Sequence, residues 1–170
     1  MIARAAALGL LLVVAALLET VVFAEIAVAG YVPAVVVLTV VGVALADGPE
    51  PGGIYGFVAG LLMDLLGGGL VGLSALVMLT TGFAVGAARP YLTGPPLGIH
   101  VVVGGLAAAS ATLAYGVLLF LLEPAEITWS ALGQGSAITG LYSAAVAPFA
   151  VRATIMLARS VEGQTVGSSS

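Results

Sequence analysis

Asp64 is the residue with the most chemical potential in this chain. It stands inside an apolar run, Gly56-Phe57-Val58-Ala59-Gly60-Leu61-Leu62-Met63-Asp64-Leu65-Leu66. At 100° per residue, Gly53, Gly56, Gly60, Asp64 and Gly67 fall within an arc of about 80° on a helix. The glycines let another helix approach closely, and Asp64 shares their face. An acidic residue in lipid costs about 2.5–3.5 kcal/mol, so Asp64 must face a packed interior or a watery pocket. It can serve as a binding or coupling group, or it can hydrogen-bond the start of the next helix. Glu19 poses the same choice: a polar contact with a partner, or a marker of the membrane interface. Gly82 and Gly86 form a second GxxxG, suited to contact between helices of this chain or to a dimer face.

Other chemistry finds little support. His100 is the single histidine and cysteine is absent, so no metal site is expected. Gly72-Leu73-Ser74-Ala75-Leu76 lacks the second glycine of G-x-S-x-G and its strand–turn–helix setting. His100 is expected at the opposite membrane face from Ser74. No cofactor is implied, and the residues give only a weak case for an enzyme.

The elements that hold these residues follow from composition. Of 170 residues, 61% are hydrophobic and 7% charged, with mean hydropathy +1.25. Soluble domains carry about 25% charged residues, so this chain cannot face water all round. The apolar stretches are near-continuous rather than alternating, which argues against a transmembrane barrel. The expected fold is all-α, a polytopic membrane bundle of about six transmembrane helices. Net charge is −4 and lysine is absent, which argues against nucleic-acid binding.

The six spans are expected at about 3–22, 31–46, 53–66, 70–88, 97–122 and 131–158. Pro33 is expected in the first turn of the second, and Asp47–Gly52 as a loop rich in proline and glycine. Trp129 is placed like an interfacial anchor, and Pro148 within the last span as a kink. Residues 1–159 then form the transmembrane domain and 160–170 a disordered cytoplasmic tail. Arg4, the run Ala5–Leu18 and Ala27-Val28-Ala29 have the outline of a signal peptide. The run is long for one, and more membrane protein follows, so a retained first span is expected.

With six spans, Arg4, Arg89, Arg152 and Arg159 all fall on one side. The positive-inside rule makes that side cytoplasmic and gives an N-in/C-in chain. Glu25, the Gly67–Gly69 turn, Glu123 and Glu126 fall on the other.

The run Gly56–Leu66 followed by Leu70-Val71-Gly72-Leu73-Ser74-Ala75-Leu76 resembles the central signature of the rod shape-determining MreD family. Pro33 leading an aliphatic run is similar to that family's second span. The resemblance implies a non-enzymatic subunit of the bacterial cell-elongation (rod) complex in the cytoplasmic membrane, supporting peptidoglycan synthesis. It implies an MreC-like partner, association with a RodA-type polymerase and its transpeptidase, and a fold similar to the substrate-binding subunits of energy-coupling-factor transporters. It assigns no catalytic residue. A competing expectation is a vitamin-like small-molecule binding subunit of a transporter, with Asp64 and Glu19 lining an outward pocket.

Overall fold

In the computed structural model, which describes residues 2–22, 32–67, 70–92, 96–122 and 129–166, the chain is helical with no strand among those residues. Six α-helices follow one another among the described residues: α1 (Ile2–Leu17), α2 (Val35–Asp47), α3 (Pro49–Gly67), α4 (Leu73–Ala88), α5 (Pro96–Leu122) and α6 (Trp129–Val166). A π-helical turn, Leu18–Val22, extends α1. Among the described residues, four stretches are long and apolar enough to cross a membrane: Arg4–Val22, Leu73–Tyr91, Leu97–Leu122 and Trp129–Ala158. Large apolar side chains point outward, with Phe149 78% and Leu141 77% exposed. That apolar outer shell suits lipid as the surrounding solvent.

The remaining two helices depart from the expectation of six full spans. α2 has 13 residues, about 20 Å of rise against a hydrocarbon core of about 30 Å. It is the centre of the bundle, packed against each of the other five helices, and Val35 through Ala44 are all buried. Pro33 precedes it in non-helical backbone instead of sitting in its first turn. A proline disfavours helix for the residue before it, and Val32 is not helical. Non-helical backbone at membrane depth is tolerated where protein buries it, and Pro33 and Ala34 are buried.

The expected Asp47–Gly52 loop shrinks to Gly48. Its φ of 99° lies in the left-handed region that glycine enters without strain, so α2 turns into α3 within one residue. Pro49 and Pro51 then fall in the first turn of α3, where a missing N–H removes no helical hydrogen bond. At the other end of the chain, α6 continues to Val166, past the boundary at 159 and into the expected disordered tail. No proline falls between Ser160 and Val166, and lengthening an existing helix needs no new nucleus. Residues 167–170, Glu25, Gly68, Gly69, Glu123 and Glu126 lie outside the described residues.

α1 and α2 are antiparallel. Arg4 at the start of α1 forms an ion pair with Asp47 at the end of α2, while Glu19 at the far end of α1 reaches Val36 at the start of α2. Gly86, just before Arg89, lies against Gly48 and Pro49. Thr154, just after Arg152, packs on Gly42 of α2. Arg4 and Arg89 therefore share one end of the bundle, opposite Glu19 and Asp64, while Arg152 is level with the middle of α2. Trp129 is exposed at the start of α6, its ring 5.1 Å from that of Phe120 in α5.

Candidate functional site

The glycine series closes α3 onto α4. A Cβ at Gly60 would strike the Ser74 carbonyl and Ala75 Cα, and one at Gly56 the Met78 carbonyl. At Gly82 it would strike the Gly52 carbonyl, and at Gly86 it would lie 2.5 Å from Pro49 Cα. The contacts form two antiparallel rows spaced four residues apart. Gly52, Gly56, Gly60 and Asp64 run along α3, and Gly86, Gly82, Met78 and Ser74 along α4. Gly53 is not in the row: a Cβ there would rest 3.6 Å from Phe83 Cβ, an ordinary contact. Gly52 takes the place that sequence spacing gave to Gly53. Gly67 has open space around it. The face carrying Gly52, Gly56 and Gly60 is thus covered by this chain's own α4.

Asp64 ends that row and is 5% exposed. Its Oδ2 accepts from the Gly72 amide at 2.7 Å and the Ala75 amide at 3.3 Å, and its Oδ1 from the Ser74 amide at 3.1 Å. The first N–H groups of a helix have no intrahelical acceptor. Normally an N-cap side chain supplies one, but the N-cap of α4 is Gly72, at φ 102°, with no side chain. Asp64 serves instead from the preceding helix, and its charge also suits the positive end of the helix dipole. Of its two expected roles, the geometry is that of the helix-start hydrogen bond.

Glu19 does the same for α2. Its Oε2 accepts from the Val36 amide at 2.8 Å. The Val35 amide turns back to the Pro33 carbonyl at 2.9 Å. The Ala34 amide donates to Ser143 Oγ at 2.9 Å, and Ser143, from α6, is fully buried. The N-terminus of the central helix is therefore satisfied from α1 and α6 together, since its own N-cap, Ala34, makes no side-chain bond. Sequence reasoning missed Ser143. It lies 109 positions from Ala34, and no local pattern marks it among the serines and threonines of α6. Ser143→Ala is expected to leave the Ala34 amide without an acceptor and to lower stability by about 1–2 kcal/mol. The readout is the denaturation midpoint in mild detergent, and an unchanged midpoint would refute the assignment.

The two capped ends flank one small cavity of about 190 Å3, whose lining includes Glu19, Ala34, Met63, Ser74, Thr112 and Tyr115. Glu19 lines this pocket and Asp64 does not. Ligand pockets usually run to about 300–1,000 Å3. Among the described residues no cluster of side chains could hold a metal ion. His100 and Ser74 lie at opposite ends of the bundle, as expected. What the arrangement does is join helices: each acid ties the start of one helix to a neighbour where water is scarce.

A protein-family model described as rod shape-determining protein MreD matches residues 3–121, from α1 almost to the end of α5. No curated protein and no solved structure matches the chain.

Proposed function

The chain belongs to the MreD family, and from that premise we propose that it is a non-enzymatic subunit of the bacterial rod complex that binds an MreC-like protein. Family membership makes it a membrane protein of the rod-shape determination system. The finer reading is that it sits in the cytoplasmic membrane with both termini inside and supports the RodA-type polymerase and its transpeptidase partner. The observation that carries it is the family match over residues 3–121, which includes the α3–α4 hairpin, where Asp64 caps the start of α4. Arg4 and Arg89 together at one end of the bundle favour the N-in/C-in orientation. With connections this short, a partner must meet the chain mainly within the bilayer or at its edge, where association relies on packing and polar contacts.

The test has two arms. Depleting the protein in a rod-shaped bacterium that relies on it should produce rounded cells. Pull-down of the tagged chain in mild detergent, followed by mass spectrometry, should recover an MreC-like single-span protein. Normal rods after depletion, together with a pull-down lacking that protein, would overturn the reading. Tags on the two termini should both report a cytoplasmic location.

A further inference from the structure

α1 is the least enclosed helix of the bundle. Between it and α3, over α2, runs a groove of about 710 Å3. Leu8, Leu12, Val43, Ile54 and Val58 form its walls. One end is charged, where Arg4 pairs with Asp47, their side chains 26% and 15% exposed. The Tyr55 hydroxyl lies across the groove, 3.3 Å from the Leu8 carbonyl. Gly9 also lines the groove, and a Cβ there would meet nothing within 4 Å. From Arg4 to Leu12 the wall is roughly 12 Å long.

We propose that this groove holds a phospholipid with a zwitterionic headgroup bearing a primary ammonium, of the phosphatidylethanolamine kind. The headgroup's phosphate meets Arg4, its ammonium meets Asp47, and an acyl chain lies along Leu8, Leu12 and Val58. Charge complementarity selects this occupant. A guanidinium has five N–H donors, so Arg4 can hold Asp47 and a phosphate together. The ammonium offers three donors to Asp47, and a choline offers none. An anionic headgroup without an amine gains at Arg4 but brings its charge beside the Asp47 carboxylate. The apolar walls begin where the charged pair ends, as the headgroup and chains of a lipid do. The inference needs only that the chain is embedded in a membrane, and it is independent of the partner proposed above.

The experiment is native mass spectrometry of the full chain, released from mild detergent after exposure to an equimolar mixture. The mixture contains phosphatidylethanolamine, phosphatidylglycerol and phosphatidylcholine with identical acyl chains. Phosphatidylethanolamine should be retained roughly tenfold over phosphatidylcholine, the worth of one charge-assisted hydrogen bond. Asp47→Asn should reduce that ratio severalfold. Because Asp47→Asn also loosens α1 from α2, Gly9→Phe provides a second route. It fills the groove from an open position, and should abolish lipid retention while leaving the denaturation midpoint near that of the parent. Equal retention of the three lipids would overturn the proposal. So would parental retention by Gly9→Phe, or a lipid-free dimer in place of a lipid-bound monomer.

Discussion

Leucine in place of Gly60 is expected to lower the melting temperature in mild detergent by roughly 10 °C. The reason lies in what surrounds the position. A Cβ at 60 would occupy the space of the Ser74 carbonyl and Ala75 Cα, and these are backbone atoms. A side chain can rotate away from an intruder, but a helix backbone has to move as a body. Separating α3 from α4 at this point would also open the contacts at Gly52, Gly56, Gly82 and Gly86, because all belong to the same pair of rows. Overpacking typically costs about 1–3 kcal/mol, and a clash with the backbone of the facing helix belongs at or above the top of that range. Gly53→Ala is the matched control. Its Cβ would sit 3.6 Å from Phe83 Cβ, and alanine favours helix over glycine by up to about 1 kcal/mol. It should melt at or slightly above the parent temperature. Recovery of an MreC-like partner should fall for Gly60→Leu and hold for Gly53→Ala. If both variants melted with the parent, the glycine rows would not be what closes the hairpin.

The contrast between Gly52 and Gly53 marks where sequence reading stops. A helical wheel gathers Gly53, Gly56, Gly60 and Asp64 into one narrow arc, because it treats the helix face as a stripe parallel to the axis. Helices pack instead through inclined rows of residues four apart. Along such a row each step turns by about 40°, so the contact line runs from Asp64 through Gly60 and Gly56 to Gly52. Which row meets the neighbour depends on a crossing that one sequence does not record. The all-α membrane fold was legible, because lipid solvation leaves its mark on composition along the whole chain. Helix starts near proline were less so. Pro49 and Pro51 look like loop residues until the first-turn exemption applies, and Pro33 looks like a first-turn proline when it precedes the helix. Both roles are open to a proline, and tertiary burial decides between them. The capping of α2 could not be read at all, since its acceptors come from Glu19 and Ser143, on helices far apart in sequence.

The second large effect is expected at Asp64, and its pattern across substitutions separates capping from chemistry. Asp64→Leu removes the acceptor of three amides, those of Gly72, Ser74 and Ala75. It leaves them in surroundings with little water. Hydrogen bonds to a charged group contribute about 1.5–3 kcal/mol each and are not additive when one group accepts several. A loss of about 3 kcal/mol is therefore expected. Asp64→Asn should cost roughly half as much. Its carbonyl oxygen can still accept from Gly72 and Ala75, while its NH2 faces the Ser74 N–H, donor against donor. The order of melting temperatures should be aspartate, asparagine, leucine, and complex recovery should follow the same order. A binding or coupling carboxylate would behave otherwise: asparagine would keep the fold intact and abolish function as fully as leucine does. Combining Asp64→Leu with Gly60→Leu sharpens the distinction, because both act on one hairpin. Their joint cost should fall well short of the sum of the two single costs, since a hairpin already sprung at Gly60 has less capping left to lose.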